Sequence, residues 1–136
     1  MKIAHIYLLL AVLLCSTVYA QPGRDKVEAL RVAFIGRKLD LSPSESQKFW
    51  PVYNEYNDKV RMIRRNLRQE YHRGANGISE KEAEALYNLD LASRESELET
   101  HRVYSEKIRA IIGVRKFIIL RMAEEEFKKE MIKAID

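Results

Sequence analysis

The chain has 136 residues, a formal net charge of +4 and 32% charged residues. This length predicts one domain with a modest hydrophobic core. The charge excess is too small to indicate a nucleic-acid-binding protein, and we predict no nucleic-acid partner. Glycine and proline are scarce, with 5 and 3 residues, and most of them lie at the boundaries of the apolar repeats, which predicts an all-α fold.

Residues 1–20 have the pattern of a secretory signal peptide. Lys2 supplies the positive start, an apolar run covers 6–14, and Val18-Tyr19-Ala20 fits the cleavage pattern. We therefore expect a periplasmic protein that is cleaved near Ala20 and consists of a helical domain at 21–136. No later segment reaches the roughly 20 apolar residues that cross a bilayer, so we predict no transmembrane segment in the mature chain.

The only cysteine, Cys15, lies inside the predicted signal peptide. Lipid attachment at this residue is the alternative to cleavage, but Leu14 occupies the position where a small residue should precede a modified cysteine. Removal of the first 20 residues leaves 116 residues without cysteine, which excludes disulfides, thiol chemistry and cysteine–metal sites from the mature chain.

The apolar spacing predicts four helices, at about 25–38, 43–73, 79–112 and 114–134, with a turn at 74–77 between the two longest. The apolar face of the first helix comprises Val27, Leu30, Phe34 and Ile35. The second helix carries a seam of apolar residues in steps of three and four: Phe49, Tyr53, Tyr56, Val60, Ile63, Leu67 and Tyr71. These elements predict an elongated antiparallel helical hairpin with a short helix at each end.

Two capping boxes mark the starts of the second and third helices. Ser42 is followed three residues later by Glu45, and Ser79 is followed three residues later by Glu82. In a capping box the serine hydroxyl accepts from a backbone N–H of the first turn, and the glutamate accepts from the backbone N–H of the serine. Pro43 fits the first helical position, where its missing N–H has no cost.

Pro51 lies well inside the second predicted helix and is expected to bend it. A helix that begins only after Pro51 is the alternative. Trp50, its neighbour, is interpreted as a core residue. On the fourth helix Ile118, Ile119 and Met122 widen an apolar side, and packing in the core is favoured there over an exposed binding patch. That apolar side is formed by Phe117, Leu120, Phe127 and Met131.

The two helix starts carry a resemblance to a known family. Leu41-Ser42-x-x-Glu45 and Ile78-Ser79-x-x-Glu82 resemble the twice-occurring Leu-Thr-x-x-Gln signature of the periplasmic Spy/CpxP family. The segments 49–56 and 123–130 are similar to a Bacteroidetes-type variant labelled Spy/CpxP-like or sensor of extracytoplasmic sigma factor. Serine for threonine and glutamate for glutamine are departures from the signature that keep the capping chemistry.

This resemblance implies a four-helix periplasmic protein that dimerises into a shallow cradle. Members of the family bind unfolded proteins without ATP or modulate the envelope stress response. A metal-sensing branch uses histidine, glutamate and sometimes methionine ligands on a related hairpin.

A row of cations on the second helix is the candidate client-binding surface, together with the neighbouring aromatic residue. It consists of Arg61, Arg64, Arg65, Arg68, Tyr71 and His72. Arginine stacks on aromatic rings and pairs with carboxylates, so a surface that mixes such groups can hold varied partners weakly. The alternative is an ordinary solvated face that Glu80, Glu82 and Glu84 neutralise from the returning helix.

The segment 91–100 of the third helix is poor in large apolar residues, so the long hairpin is expected to need a second subunit and to form a homodimer. Glu97 and His101 lie one helical turn apart and are weak candidates for a metal site. His72 is too far along the hairpin to join them, because about 20 residues of helix span roughly 30 Å. We therefore predict no metal site and no cofactor.

No pattern for catalysis is present, because the chain has no glycine-rich phosphate loop and no nucleophile motif. The sequence predicts a non-enzymatic periplasmic module that binds unfolded or partner proteins in the manner of a chaperone. The alternative is a regulatory domain that acts on an extracytoplasmic sigma-factor system or another membrane signalling protein and responds in some cases to a metal.

Overall fold

The computed structural model describes residues 22–74 and 77–134, which form three α-helices and no strand. Helix α1 spans Pro22–Leu39, helix α2 spans Pro43–Gly74 and helix α3 spans Glu80–Lys133. The all-α prediction is therefore confirmed. The predicted signal peptide and its cleavage point lie outside the described residues.

The number of helices differs from the prediction. The segments expected as a third and a fourth helix form the single element α3, which is interrupted at Gly113. The backbone of Gly113 has φ 76° and ψ 164°, a combination that residues with a Cβ atom rarely adopt. Because the interruption is confined to one residue, helical structure resumes at Val114 without a separate linker.

Both predicted capping boxes are confirmed. The Ser42 backbone N–H donates to Glu45 Oε2 at 2.8 Å, and the Glu45 N–H donates to Ser42 Oγ at 3.2 Å. The Ser79 N–H donates to Glu82 Oε2 at 2.8 Å, and the Glu82 N–H donates to Ser79 Oγ at 3.4 Å. These reciprocal bonds satisfy N–H groups that would otherwise lack partners in the first turn of each helix.

Helices α2 and α3 pack against each other as an antiparallel hairpin. The rings of Tyr56 and Tyr104 are 5.8 Å apart, whereas Arg64 pairs with Glu97 farther along α2 and earlier along α3. The confirmed part of the predicted hairpin is this antiparallel pairing. Helix α2 also continues through Pro51 from its start at Pro43, so the alternative of a later start is wrong.

The described residues up to Ala33 and those from Phe34 onward belong to two separate units, and the hydrophobic core belongs to the second. Its buried members come from the end of α1, the first half of α2 and both sides of Gly113: Phe34, Ile35, Leu39, Phe49, Tyr53, Ile108, Ile112, Leu120 and Ala123. Trp50 packs against this core, as predicted, and its indole N–H donates to Ser46 Oγ at 3.0 Å. Phe117 and Phe127 are partly buried beside it.

Four residues that the sequence placed on apolar helix faces are exposed. Val27 and Leu30, in the first unit, are nearly half exposed among the described residues. Ile118 and Met122 point away from the core that Leu120 joins, so the core interpretation is wrong for both and right for Ile119. The physical reason is the limited width of a buried helix face. Ile118 and Met122 are each two positions from the buried Leu120 and therefore lie nearly on the opposite side of the helix.

Candidate protein-binding surface

The six predicted client-binding residues all lie on α2 and are all exposed: Arg61, Arg64, Arg65, Arg68, Tyr71 and His72. Beside them, Val60, Ile63 and Leu67 are half-buried where α2 meets α3. Successive helix residues are rotated by 100°, so the mean direction of the four arginines is about 120° from that of Val60, Ile63 and Leu67 around the axis of α2. We call the six exposed residues the α2 cationic surface.

Ion pairs occupy only part of the α2 cationic surface. Arg64 donates to Glu97 Oε2 from two nitrogens, at 2.9 and 2.7 Å, and this bond raises the pKa of the Arg64 guanidinium. Arg61 lies 3.5 Å from Asp58. Within residues 22–74 and 77–134, no ion pair involves Arg65 or Arg68.

The predicted neutralisation by the start of α3 is not found. Glu82 is held in its capping box with Ser79, and this interaction lowers the pKa of its carboxyl group. The described residues include no ion pair between the α2 cationic surface and Glu80 or Glu84. Arg64 instead pairs with a glutamate more than four turns along α3, so the surface keeps two free positive charges.

The two weak metal candidates have other contacts. The carboxylate of Glu97 accepts from Arg64, and His101 packs edge-on against the ring of Tyr56 at 6.2 Å. His101 Nδ1 also lies 3.5 Å from Ser105 Oγ. In the part of the chain that the structure describes, no three metal-binding side chains form a group. Both Arg64 hydrogen bonds are accepted by Glu97 Oε2, so a cation bound to that oxygen would compete with Arg64.

A lysine that the sequence did not single out fixes the start of α2. Lys116 Nζ donates to Glu45 Oε2 at 2.7 Å and to the Asp40 carbonyl at 2.9 Å. Both bonds cross more than 70 positions of sequence: one joins the segment after Gly113 to the α1–α2 linker at Asp40, and the other joins it to the first turn of α2 at Glu45. The Lys116 side-chain bond and the Ser42 backbone bond lower the pKa of Glu45.

Aromatic residues surround a small cavity between α2 and α3, next to the core. The Tyr53 hydroxyl donates to Glu124 Oε1 at 3.0 Å, and Arg121 donates to the same carboxylate at 2.7 Å. Burial, together with a hydrogen bond to Glu55, raises the pKa of Tyr104 to about 12. The cavity has a volume of about 10 Å³, which suits one water molecule.

A larger open hollow of about 290 Å³ lies near the turn end of the hairpin. Its apolar floor includes Ile78, Leu86 and Leu89. At its edge Arg73 donates to Glu70 at 2.5 Å. Among the described residues that line it, Glu70 pairs with Arg73 and Glu82 is bonded to Ser79 in its capping box.

Sequence reasoning missed an exposed row of residues on α3. Tyr87, Leu91 and Leu98 are 63%, 43% and 63% exposed. They lie within about 40° of one another around the helix, since four and seven residues make nearly whole turns. The sequence showed only few apolar residues in this segment. The spacing of these three was the available signal that they share one face.

In comparisons with known proteins, no family model matches the chain, and no match is found among curated proteins or among solved structures. No helix in the described ranges is long and apolar enough to cross a membrane.

Proposed function

We propose that this chain is a non-enzymatic, periplasmic protein-binding module of the Spy/CpxP type that holds unfolded or partly folded proteins on its α2 cationic surface. The observation that carries the proposal is the pair of exposed arginines, Arg65 and Arg68, that have no carboxylate partner among the described residues. Both arginines are on the exposed side of α2, turned away from the apolar seam, and Arg68 lies about one helical turn before the half-exposed ring of Tyr71.

The chemistry of this surface suits partners of varied sequence. The guanidinium groups of Arg65 and Arg68 can pair with carboxylates or stack on aromatic side chains, and neither contact requires a fixed backbone geometry. Tyr71 offers a large apolar area with few rotatable bonds. Each contact is weak, so a client is held while it remains unfolded and is released when folding hides its own apolar groups. No nucleotide or cofactor takes part in this cycle.

The helices supply a firm support for weak binding. The two hydrogen bonds that Arg64 donates to Glu97 Oε2 tie the middle of the surface to α3, whereas Arg65 and Arg68 have no ion pair among the described residues and are free to adapt. Binding through these charges predicts a strong dependence on ionic strength, because salt screens exposed charges at about 10 Å in 0.1 M solution.

The test is suppression of aggregation of two unrelated unfolded model proteins, followed by light scattering at low and at high salt. We expect the full chain to suppress aggregation at low salt and the variant Arg65→Ser/Arg68→Ser to lose most of this effect. The matched control, Arg115→Ser/Lys129→Ser, removes two exposed cations elsewhere and should behave as the unchanged chain.

Equal suppression by both double variants would remove the α2 cationic surface from the mechanism. Absence of suppression by the unchanged chain, together with tight one-to-one binding to one membrane signalling protein, would favour the regulatory function instead. A melting temperature that rises by several degrees with zinc, copper or nickel would favour its metal-responsive form.

A further inference from the structure

The last segment of α3 carries an exposed apolar row of its own. Val114, Ile118 and Met122 follow one another at intervals of four residues and are 62%, 52% and 66% exposed. In a regular helix this spacing places them within about 80° of one another around the axis. The buried Leu120 and Ala123 lie on the opposite side, where the segment packs on the core. Single exposed apolar residues are common, but three in consecutive turns form a continuous row.

Three cations border this row. Arg115 lies on one flank, Lys128 lies on the other, and Lys129 continues the line of the row, all within about 80° of its centre. They are exposed, and within residues 22–74 and 77–134 none of them takes part in an ion pair. We call the six residues the α3 terminal face: Val114, Arg115, Ile118, Met122, Lys128 and Lys129.

The acidic residues near this face do not cancel its charge. The carboxylate of Glu126 is paired with Lys38 of α1 at 2.9 Å, and that of Glu124 is paired with Arg121 at 2.7 Å. Glu125 is exposed on the same side and has no ion pair among the described residues. Three unpaired cations therefore stand against one unpaired carboxylate, which gives the α3 terminal face a net positive charge.

We propose that the α3 terminal face docks on an anionic lipid bilayer, with the axis of this segment parallel to the membrane surface. The apolar row enters the boundary between the headgroups and the acyl chains. The charged ends of Arg115, Lys128 and Lys129 meet the lipid phosphates, because their long apolar stems let the charge reach the headgroups. The opposite side of the segment is buried against the core, so the helix is already folded before it binds.

The shape and chemistry of this face favour a bilayer over an acidic protein. Its apolar side chains stand on the outer, convex side of one helix, and none of them lines either of the two cavities described above. A fluid bilayer takes up such a row without a complementary cleft, and its phosphates attract the bordering cations. An acidic protein without an apolar cleft would pair with the cations but leave the apolar row in water. The proposal is independent of client binding, because the α2 cationic surface is on another helix.

Cosedimentation of the full chain with lipid vesicles tests the proposal. We expect binding to vesicles of phosphatidylglycerol and phosphatidylcholine in equal amounts, and much weaker binding to phosphatidylcholine alone. Arg115→Ser/Lys129→Ser removes two cations and should weaken binding to the anionic vesicles by about 30-fold. Ile118→Ser/Met122→Ser shortens the apolar row and should weaken this binding by about tenfold or more. Residues 1–20 are the same in every variant, so differences between variants report on the face.

The matched control is Arg65→Ser/Arg68→Ser, which removes the same charge from α2 and should bind anionic vesicles as the unchanged chain does. In the aggregation assay this variant should fail, whereas Arg115→Ser/Lys129→Ser should suppress aggregation normally, so the two proposals can fail separately. Circular dichroism shows that each variant is folded. Absence of binding by the unchanged chain would overturn the membrane proposal. Equal losses of binding in the two charge variants would also overturn it, since net charge alone would then explain the attraction.

A fluorescent reporter tests which part of α3 meets the bilayer. In a Cys15→Ser background, an environment-sensitive dye attached to Ile118→Cys should shift its emission to shorter wavelength when anionic vesicles are added. The same dye on Tyr87→Cys, an exposed apolar position of α3 before Gly113, should not shift. Equal shifts at both positions, or a shift at Tyr87→Cys alone, would overturn the proposed orientation.

Soluble polyglutamate is the probe for an acidic protein partner. We expect it to bind the chain weakly and to be unaffected by Ile118→Ser/Met122→Ser, because it offers charge without an apolar phase. Polyglutamate binding that both Arg115→Ser/Lys129→Ser and the apolar variant abolish, in a chain that does not bind vesicles, would assign the α3 terminal face to a protein and overturn the membrane proposal.

Discussion

The two ends of the α2–α3 hairpin follow the same apolar spacing but differ in burial. Near the start of α2, Phe49 and Tyr53 are almost completely buried. Near the turn, Ile63 and Leu67 are only half-buried and Tyr71 is half exposed. The first end also packs against the end of α1 and the segment after Gly113, whereas α2 and α3 alone form the second. The same apolar spacing on α2 is therefore more deeply buried where several segments pack against it than where only α3 does.

The largest expected effect is a loss of stability from a substitution at the buried end of the hairpin. Phe49→Ala removes a completely buried ring that stacks on Tyr53 at 5.1 Å, and it should lower the free energy of unfolding by about 3–5 kcal/mol. Leu67→Ala, on the same seam near the turn, should cost only about 1–2 kcal/mol because this side chain is only partly buried. Urea unfolding curves measure both, and equal costs would contradict the contrast.

A second prediction concerns the residue that brings the last segment of α3 onto the core. Gly113→Ala places a Cβ atom on a backbone with φ 76° and should destabilise the fold by about 1–3 kcal/mol. Space is not the cause, since no atom beyond the adjacent residues and the nearby helix backbone lies within 4 Å of the added carbon. Gly36→Ala is the control. It lies in a regular helix with only an ordinary contact to Trp50, and it should be neutral or stabilising.

A third prediction compares the two helix starts. Ser79→Ala and Ser42→Ala each remove a capping hydroxyl and should each cost about 1 kcal/mol in thermal or urea unfolding. Ser79 caps at the turn end and Ser42 caps beside the core. Loss of the cap at Ser79 should therefore also increase hydrogen exchange in the first turn of α3 while the core amides stay protected. Equal exchange throughout the chain would show that the hairpin opens as one unit.

The smallest expected effect is a pH dependence. The pKa values of Glu45 and Glu82 are lowered in the folded chain, by Lys116 and Ser42 in the first case and by Ser79 in the second. Their stabilisation is complete above the ordinary glutamate pKa of about 4.3 and is lost as the pH falls through the lower folded values. The urea midpoint should therefore fall below about pH 4.5. Lys116→Met, which leaves the Ser79 box intact, should weaken this dependence, whereas Arg115→Met should not.

The sequence predicted the features that depend on short-range chemistry. The capping pairs of Ser42 and Ser79 and the bounds of α2 follow from residues three or four positions apart. Burial was predicted correctly for Phe34 at the end of α1 and for Leu120 after Gly113, where these segments meet α2 in the core. The exposure of Ile118 was not predicted. The bonds of Lys116 to Asp40 and Glu45 join residues more than 70 positions apart, so no local pattern indicates them. The family resemblance, the homodimer and the client-binding role stay predictions.

The position of the single tryptophan determines what optical experiments will report. Trp50 is at the packed end, with its indole N–H bonded to Ser46 and its ring against Phe49 and Tyr53. Its fluorescence will therefore follow the opening of that end and be insensitive to fraying of the turn end. Far-ultraviolet circular dichroism averages over every helical residue, so the two unfolding curves should separate, with the dichroism signal beginning to fall first.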